Sequence, residues 1–304
     1  MAVAGKRAAR CDESGQVSKT INNNLGEHLN FLYTNADCLT NKRQELQSLL
    51  GSLVWKPSVI IITEVNSKVS FNNLQESEYS LEGYNVFVSN VGVDKFCGII
   101  IYVDKSILCS QLHVFSKFSE FLFIKIMQGN SCALTIGAIY RRPGSSKDND
   151  MQLFKLINDI VKQNPGNLLL VGDFNFPIIN WCKWTVEKDT SSKSSESKFI
   201  SCLRKNYLKQ HINFPTRVRG SQTPHVLDLV ISNNDFVNNI NNLSPLGKSD
   251  HSVLQFSCQF LYSHVEYTPK FNYVKGDYDN LRLFVNNCYS SPYLVNECCE
   301  VSLF

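Results

Sequence analysis

The stretch Asn167-Leu168-Leu169-Leu170-Val171 runs directly into Gly172-Asp173-Phe174-Asn175. An apolar run of this kind predicts a strand that is buried on both faces, as in layered α/β proteins. Side chains at positions i and i+2 of an extended chain point to the same side, so Asp173 and Asn175 can face one ligand. Because both residue types are also common in turns after strands, the pair alone leaves a functional site and a simple turn as alternatives.

Other apolar runs also carry polar side chains at or near their ends. These are Asn35 and Asp37 after residues 29–34, Glu64 after residues 58–63, Asp228 within residues 226–231, and Asp250 and His251 before residues 252–256. A carboxylate in such a position is rarely fully buried without a partner, since an uncompensated buried charge is costly. Ligand sites of layered α/β proteins gather at strand ends, so we expect these side chains to converge on one site.

The periodicity of apolar residues predicts many strands and few helices. Strands are predicted near residues 29–34, 58–63, 84–89, 98–103, 121–126, 132–140, 168–171, 226–231 and 252–258, and helices near residues 42–53, 151–162 and 198–208. Two stacked sheets with helices outside them would bury such strands on both faces. We expect residues 190–197, rich in Ser and Lys, to be a mobile loop, the Asn-rich residues 233–242 to be a connection, and residues 1–26 to be a disordered tail.

Composition predicts a soluble intracellular protein, located in the nucleus or the cytoplasm. The chain has 304 residues, 43% of them hydrophobic, which is enough for one domain of roughly 200 residues or more. No apolar run approaches the ~20 residues of a membrane span, and residues 1–16 lack the apolar centre of a signal peptide. Eleven cysteines, with no Cys-x-x-Cys pair and no export signal, favour reduced thiols.

Charge is informative locally rather than overall. The formal net charge of +3 is only mildly basic. Basic residues nevertheless lie next to the candidate site residues in sequence, namely Arg141, Arg142, Lys147, Arg217, Arg219 and Lys248. They would place positive charge along the backbone of bound DNA, with a solvated rim of loops as the alternative.

A series of short motifs occurs in a fixed order between about residues 29 and 260. The motifs are Tyr33-Thr34-Asn35-Ala36-Asp37, Ile62-Thr63-Glu64, Gly83-Tyr84, Gly98-Ile99-Ile100, Ile139-Tyr140-Arg141-Arg142-Pro143, Gly172-Asp173-Phe174-Asn175, Phe214-Pro215-Thr216-Arg217, Leu227-Asp228-Leu229-Val230 and Ser249-Asp250-His251. This series resembles the endonuclease/exonuclease/phosphatase superfamily, and within it the apurinic-like endonuclease domain of LINE-type non-LTR retrotransposons. The resemblance implies a four-layer α/β sandwich, with two stacked mixed β-sheets flanked by helices, over residues 27–262.

The resemblance also implies a function, which the chemistry of the residues supports. It implies a Mg²⁺-dependent endonuclease, with Mn²⁺ able to substitute, that acts as a monomer on double-stranded DNA and leaves a nick with a 3′ hydroxyl. Hydrolysis of a phosphodiester requires a cation, a group that activates water, and donors to the phosphate oxygens.

The candidate residues divide into three groups by role. Asp173 is predicted to activate water, Asn175 to donate to a phosphate oxygen, and His251, held by Asp228, to stabilise the pentacovalent phosphorus, while the resemblance places Tyr140 beside the phosphate. The predicted metal ligands are Glu64, Asp37 and Asp250, because Mg²⁺ prefers hard oxygen donors. The predicted substrate-binding residues are Asn35, Arg141, Thr216, Arg217 and Ser249, and Asn35 is also a possible second metal ligand.

Other interpretations of the sequence stay open at this point. An apurinic-site repair nuclease or a phosphatase of small phosphoesters would use the same groups. A catalytically idle, domesticated binding module would keep the binding surface without the catalytic activity. Residues 263–304 resemble the connector that leads into a reverse transcriptase, and no Tyr-x-Asp-Asp motif is present. We therefore expect an endonuclease-only fragment, or a truncated or domesticated element, that does not itself perform reverse transcription.

Overall fold

The computed structural model describes residues 17–66, 76–89, 98–128, 131–186, 194–269, 278–280 and 282–283. Its contacts divide the chain into two compact units, of which the larger spans Ile21–Glu266. The smaller unit combines Met1–Thr20 and Tyr267–Phe304, and its described part includes helical residues 278–280 and 282–283. The fold and the site below belong to the larger unit.

The larger unit contains fourteen described strands and three described α-helices, two of the strands extending beyond its limits. In chain order they are β1 (Val17–Asn35), α1 (Arg43–Ser52), β2 (Val59–Thr63), β3 (Tyr84–Ser89), β4 (Ile99–Asp104), β5 (Cys109–Leu112), β6 (Phe121–Gln128), β7 (Ser131–Tyr140), α2 (Lys147–Gln163), β8 (Asn167–Asp173), β9 (Ile179–Asn180), β10 (Thr185–Val186), α3 (Ser195–Lys205), β11 (Lys209–Gln210), β12 (Asp228–Ser232), β13 (Val237–Leu243) and β14 (Val253–Pro269). Short 3₁₀ turns lie at Leu39–Asn41 and Glu76–Tyr79.

Two six-stranded mixed sheets form the centre of the fold. The first sheet has the order β13-β14-β1-β2-β4-β3, with β1 and β2 parallel and β2 antiparallel to β4. The second has the order β11-β12-β8-β7-β6-β5, with β7 and β8 parallel and β8 antiparallel to β12. In each sheet one parallel pair lies at the centre, so its two strands end at the same edge.

The core has three layers of apolar contacts, which together define four structural layers. The two sheets pack on each other through alternate residues such as Phe31, Ile61 and Ile136. The outer face of the second sheet packs on α2 and α3, and the outer face of the first sheet packs on α1 through residues that include Leu46. Because successive strand residues point to opposite faces, wholly apolar strands are needed to serve two layers at once. The predicted four-layer α/β sandwich is therefore confirmed.

The start of α3 corrects one sequence prediction. Residues 190–197 were expected to form a loop, but the helix already begins at Ser195. The Ser194 hydroxyl accepts a hydrogen bond from the backbone N–H of Ser197 at 3.1 Å, which caps the helix. Serine is favourable at this position because it satisfies a backbone donor that the helix leaves unpaired. Residues 190–193 lie outside the described part of the chain.

The Asn-rich segment was predicted wrongly as a connection between elements. It contains β13, which pairs antiparallel with β14 at the edge of the first sheet, with a bulge between Asn238 and Asn241. Val237 and Ile240 pack against the core while most of the asparagines are exposed. The bulge includes Asn239 with a φ of 53°, a conformation that Asn tolerates better than most residues. Tertiary packing at this edge outweighs the low strand propensity of Asn.

The strands at both ends of the larger unit extend past the predicted domain limits of 27 and 262. β1 begins at Val17, inside the segment for which the sequence predicted a disordered tail, and β14 continues to Pro269. Residues 1–16 lie outside the described residues. Among the residues that the structure describes, no helix is long and apolar enough to cross a membrane.

Candidate active site

A cleft of about 710 Å³ opens where the central strands of both sheets end. It adjoins the ends of β1, β2 and β8, the start of β12, and the segment before β14. Of the thirteen predicted catalytic, substrate-binding and metal-binding residues, eight line this cleft, namely Asp37, Glu64, Asp173, Asn175, Arg217, Ser249, Asp250 and His251. Side chains from segments more than two hundred residues apart therefore meet at one end of the sandwich.

The end of β8 presents Asp173 and Asn175 to the cleft. A side chain at Gly172 would collide with its neighbour, since an added Cβ would lie 1.8 Å from the carbonyl oxygen of Ile139. The glycine thus permits β7 and β8 to approach closely. Asp173 Oδ1 accepts the backbone N–H of Asn175 at 3.0 Å, and Asn175 has a φ of 49°. This turn holds both side chains toward the cleft, as their i and i+2 spacing suggested.

Asp228 and His251 form a buried carboxylate–imidazole pair. Asp228 lies directly opposite Asp173 in the pairing of β12 with β8. Its Oδ2 is 2.7 Å from His251 Nδ1, and its Oδ1 accepts the hydroxyl of Tyr33 at 2.7 Å. The hydroxyl of Thr216 accepts the backbone N–H of Asp228 at 3.0 Å. Asp228 is fully buried, so these bonds fix both carboxylate oxygens in the interior.

The other ring nitrogen of His251 faces two more carboxylates. Nε2 lies 3.9 Å from Asp173 Oδ2 and 3.7 Å from Asp250 Oδ1. Burial by itself lowers the pKa of His251, but the charge of Asp228, the hydrogen bond to it and the charge of Asp173 raise that pKa to about 10. Burial and the charge of Asp228 also raise the pKa of Asp173, to about 7. The imidazole is therefore a cation at neutral pH, beside a carboxyl group that titrates near neutrality.

Asn35 and Glu64 form the side of the site that the first sheet contributes. The amide nitrogen of Asn35 donates to Glu64 Oε1 at 2.8 Å and to Asp173 Oδ2 at 3.0 Å. Its amide oxygen accepts the backbone N–H of Asp37 at 3.0 Å. This orientation turns the nitrogen, not the oxygen, toward the carboxylates. Asn35 therefore links an acid of one sheet to an acid of the other.

Glu64 itself adopts an unusual backbone conformation. Its φ is 50°, in the left-handed region, which costs a non-glycine residue of order 1 kcal/mol or more. Backbone bonds fix this turn, since the N–H of Cys38 donates to the Glu64 carbonyl at 2.8 Å. The carboxylate lines the cleft although only 8% of the residue is exposed. The strained turn thus directs a nearly buried acid into the cleft.

Asp37 and Asp250 lie at the more exposed wall of the cleft. Asp37 is exposed, and a buried lysine, Lys42, donates to its carbonyl oxygen and to that of Ala36. Asp250 is paired with arginine, because Arg217 Nε and Nη2 each lie 2.9 Å from its Oδ2. Arg219 Nε lies 3.9 Å from the same oxygen. The positive charge of these arginines therefore balances Asp250 in part.

The residue types that line the cleft suit a hard divalent cation. Glu64, Asp37 and Asp250 bring carboxylate oxygens to one cleft, and oxygen donors are those that Mg²⁺ prefers. Among the described residues, Asp173, Asp228 and His251 offer ligand atoms within 4.8 Å of one another, so this cluster could hold a metal ion. An imidazole must be neutral to ligate a cation, so a cation bound by this cluster would compete with the proton that Asp228 and Asp173 favour on His251.

Five of the thirteen predicted site residues do not line the cleft; besides Asn35 and Asp228, described above, they are Tyr140, Thr216 and Arg141. Tyr140 is 3% exposed and belongs to the core between the sheets. Thr216 is fully buried, and its hydroxyl accepts backbone N–H groups of Leu227 and Asp228. Arg141 is 5% exposed and pairs with Asp150. In this geometry Thr216 and Arg141 act on neighbouring protein groups, and neither lines the cleft.

Sequence reasoning assigned no role to three further residues in or near the site. Tyr33 donates to Asp228 from the opposite sheet, Lys42 supports the turn before Asp37, and Glu120 receives Arg142 Nε at 2.7 Å. Burial raises the pKa of Glu120 to about 7, although Arg142 opposes this effect. Tyr33 and Lys42 lie in or beside the first motif, so their position in the sequence could have indicated a role at the site. Glu120 lies in no motif.

Comparison with known proteins supports the fold and gives a partial family match. A family model described as endonuclease-reverse transcriptase matches residues 134–255. No curated protein matches the sequence. Solved structures of endonucleases and phosphatases share the fold, at sequence identities that establish the fold alone.

Three of these structures illustrate the range. The endonuclease domain of TRAS1, a telomere-specific non-LTR retrotransposon, is 16% identical with a TM-score of 0.55, covering 76% of this chain and 98% of that one. The 3′ phosphatase NExo from Neisseria, bound to a product DNA hairpin, is 14% identical with a TM-score of 0.58, covering 76% and 99%. The catalytic domain of Xenopus laevis APE2 is 13% identical with a TM-score of 0.56, covering 80% and 94%.

The fold and the family match point in the same direction. Two stacked mixed sheets with an acidic and imidazole-containing cleft at one end give this chain the fold of the solved endonucleases and phosphatases, and residues 134–255 match the endonuclease-reverse transcriptase family model. The structures that share this fold include the endonuclease domain of a non-LTR retrotransposon.

Proposed function

We propose that this protein is a Mg²⁺-dependent endonuclease that hydrolyses one phosphodiester bond in double-stranded DNA and leaves a 3′ hydroxyl. The observation that carries this proposal is the arrangement of His251, held by Asp228 at 2.7 Å and facing Asp173 at 3.9 Å, in a cleft that Glu64 also lines. It combines an imidazolium, a carboxyl group that titrates near neutrality and hard oxygen donors. Those are the groups that hydrolysis of an anionic phosphodiester needs.

Asp173 and His251 carry the proton and charge chemistry in this proposal. Asp173 accepts a proton from the attacking water, a role that suits a carboxylate with a pKa of about 7. His251, as the imidazolium, donates to a phosphate oxygen as negative charge develops on it. Asn175 donates an amide N–H to a second phosphate oxygen. Asp228 keeps the imidazole in one orientation and stabilises its charge.

Glu64, together with Asp37 and Asp250, would hold a divalent metal ion in this proposal. A divalent cation bound there would neutralise charge on the scissile phosphate and on the leaving oxygen. Asn35 contributes by fixing the Glu64 carboxylate relative to Asp173. Ser249 supports it from the other side, since its hydroxyl donates to the Asn35 carbonyl at 2.8 Å.

Basic side chains at the cleft favour a nucleic acid as the substrate. Arg217, Arg219 and Lys248 line the same cleft as the acids. Cations along the rim would bind the phosphates on either side of the scissile bond. The likeness to the TRAS1 endonuclease domain supports DNA as the nucleic acid.

The proposal is tested by nicking of supercoiled plasmid with purified protein. We expect conversion to open circles with Mg²⁺ and none with EDTA. Asp173→Asn and His251→Gln should each reduce the rate by ~100- to 10,000-fold, the range for loss of a general acid or base. Matched controls are Asp235→Asn, which removes an exposed carboxylate paired with Lys209, and His113→Gln, which removes an exposed histidine. Both controls should nick at the wild-type rate.

Two further measurements define the substrate and the product. Nicks with a 3′ hydroxyl should be extended directly by a DNA polymerase without phosphatase treatment. Plain duplex, duplex with an abasic site and a 3′-phosphorylated oligonucleotide should be compared at equal concentration. Cleavage confined to the abasic duplex, removal of the phosphate alone, or equal nicking by wild type and by both site variants would overturn the proposed function.

A further inference from the structure

We propose that Arg141 is a positioning residue, which with Asp150 sets the orientation of the Asn175 amide in the cleft rather than binding DNA itself. This inference rests on the proposed function, because it assumes that Asn175 donates to the substrate phosphate. It assigns a role to an arginine in the chain segment after β7 and to an aspartate in the first turn of α2. Neither residue lines the cleft.

The ion pair between Arg141 and Asp150 is buried and bidentate. Nε lies 2.6 Å from Asp150 Oδ1, and Nη2 lies 3.0 Å from Oδ2. The two residues are 5% and 1% exposed. The guanidinium also lies over the ring of Phe176, 3.9 Å from its centroid. A planar cation held by two parallel hydrogen bonds and an aromatic face has little freedom to rotate.

The same guanidinium extends directly to the Asn175 turn. Its Nη1 donates to the carbonyl oxygen of Asn175 at 2.7 Å. In return, the side-chain nitrogen of Asn175 donates to the carbonyl oxygen of Arg141 at 2.7 Å. The backbone N–H of Arg141 donates to the carbonyl of Asp173 at 2.8 Å. Three hydrogen bonds thus connect Arg141 to Asp173 and Asn175, whose side chains line the cleft.

These bonds determine what the Asn175 amide can do. Its nitrogen carries two hydrogens, and the Arg141 carbonyl takes one of them. The second hydrogen can donate to an oxygen in the cleft, which Asn175 lines. The residue also has a left-handed φ of 49°, which is an uncommon conformation and needs support from its surroundings. The Arg141 guanidinium supplies that support at the Asn175 carbonyl.

Asp150 connects this arrangement to two helices. It lies in the first turn of α2, where its backbone N–H donates to the Ser146 carbonyl. Its carboxylate also accepts a hydrogen bond from Ser195, the first residue of α3. The orientation of Asn175 therefore depends on how the starts of α2 and α3 pack beneath the cleft, through a single arginine.

A mutant cycle on purified protein tests this role. Arg141→Lys keeps the positive charge but not the fork of donors, and we expect kcat/KM for plasmid nicking to fall by ~10- to 100-fold, as for a small misplacement of a reacting group. In the Asn175→Ala background the same substitution should change kcat/KM by less than about twofold, because residues that act through each other are not additive. Equal losses in both backgrounds would overturn the proposal.

A second variant covers the case in which Arg141→Lys does not fold. The double substitution Arg141→Met with Asp150→Leu removes both charges and keeps apolar bulk, an exchange that folded proteins often tolerate. If its melting temperature matches the wild type, we expect the same loss of kcat/KM and the same absence of loss in the Asn175→Ala background. Wild-type nicking by a folded double variant would overturn the proposal.

A spectroscopic arm separates failure of this inference from failure of the proposed function. The side-chain amide resonances of Asn175 can be assigned in ¹⁵N-asparagine-labelled protein as the pair that Asn175→Asp abolishes. We expect Arg141→Lys to shift these resonances toward values of a solvated amide, whether or not the wild type nicks DNA. Unchanged resonances would overturn the positioning role, whereas an inactive wild type with shifted resonances would overturn only the proposed function.

Discussion

Two buried pairs of an aspartate and a cation lie near the cleft, and they differ in what surrounds them. Asp150 and Arg141 meet at 2.6 Å, and Asp228 and His251 meet at 2.7 Å, with each aspartate side chain no more than 2% exposed. In the first pair, the two opposite charges balance each other. In the second pair they do not, because the ring of His251 also faces the carboxylate of Asp173 at 3.9 Å.

The difference appears in the pKa values. Burial raises the pKa of Asp150, but the hydrogen bonds from Arg141, Ser195 and Ser145 and the charge of Arg141 together outweigh this effect and leave that pKa below its usual value. Around His251 the excess of carboxylates raises the pKa of the imidazole to about 10, while burial and Asp228 raise that of Asp173 to about 7. Each charge of the balanced pair needs its partner in order to stay buried, whereas the unbalanced pair keeps a group ready to exchange a proton.

Breaking the balanced pair should produce the largest effect on stability. Asp150→Ala leaves the Arg141 guanidinium buried without its partner, so we expect the free energy of unfolding to fall by about 3–5 kcal/mol. Urea denaturation followed by fluorescence measures this change. Asp148→Ala, which removes an exposed carboxylate from the same turn of α2, is the matched control and should change stability by less than about 0.5 kcal/mol. Similar losses of stability in Asp150→Ala and Asp148→Ala would contradict the view that Asp150 is needed to balance the buried charge of Arg141.

The ionisation of Asp173 and of His251 should determine how the proposed nicking activity depends on pH. We expect kcat/KM for nicking to rise by ~10-fold for each unit of pH below about 7, because Asp173 must be deprotonated to accept a proton from water. It should fall again near pH 10, where His251 loses the proton that makes it a cation. Initial rates between pH 5.5 and 10.5 in saturating Mg²⁺ give the profile. A flat profile between pH 6 and 8 would argue against Asp173 as the base.

Removing the negative charge of Asp173 should make the fold slightly more stable. The folded-state pKa of Asp173 is raised, so its ionisation costs stability progressively between pH 3.8 and about 7 and fully above that range. We expect Asp173→Asn to raise the melting temperature at pH 8 by ~2–4 °C, corresponding to ~1 kcal/mol, with a smaller gain at pH 5. Asp235→Asn serves as the control, because Lys209 lowers the pKa of Asp235 and its carboxylate has no such cost. A lower melting temperature for Asp173→Asn at pH 8 would contradict this view of the site.

The sequence predicted the parts of the molecule that depend on local patterns. The apolar run before Asp173 and the run around Asp228 specify buried strands, and an acid inside such a run requires a partner. That requirement pointed correctly to a contact between Asp228 and His251, 23 residues apart. The four-layer arrangement followed because wholly apolar strands need cover on both faces.

Other features depend on contacts that no local pattern records. Arg141 was expected to bind DNA because it lies beside Tyr140 and Arg142 in a motif, yet Asp150 lies only nine residues further on and takes its guanidinium inward. Nothing in the spacing distinguishes an arginine that faces solvent from one that faces a helix start. The strand at Val237–Leu243 was missed for a similar reason, since its edge pairing and bulge compensate for its asparagines.

The hydroxyl of Tyr33 has a consequence for how the protein loses activity. Tyr33 belongs to the first sheet, where it lies 3.1 Å from Thr63 Oγ1, and it donates to Asp228 of the second sheet at 2.7 Å. Its phenol therefore bridges the two sheets of the sandwich at the end that carries the cleft. Sliding or parting of the sheets by about one ångström would break this bridge, since a hydrogen bond of this kind tolerates little elongation. Heat or denaturant should therefore abolish the proposed nicking activity before the protein unfolds as a whole.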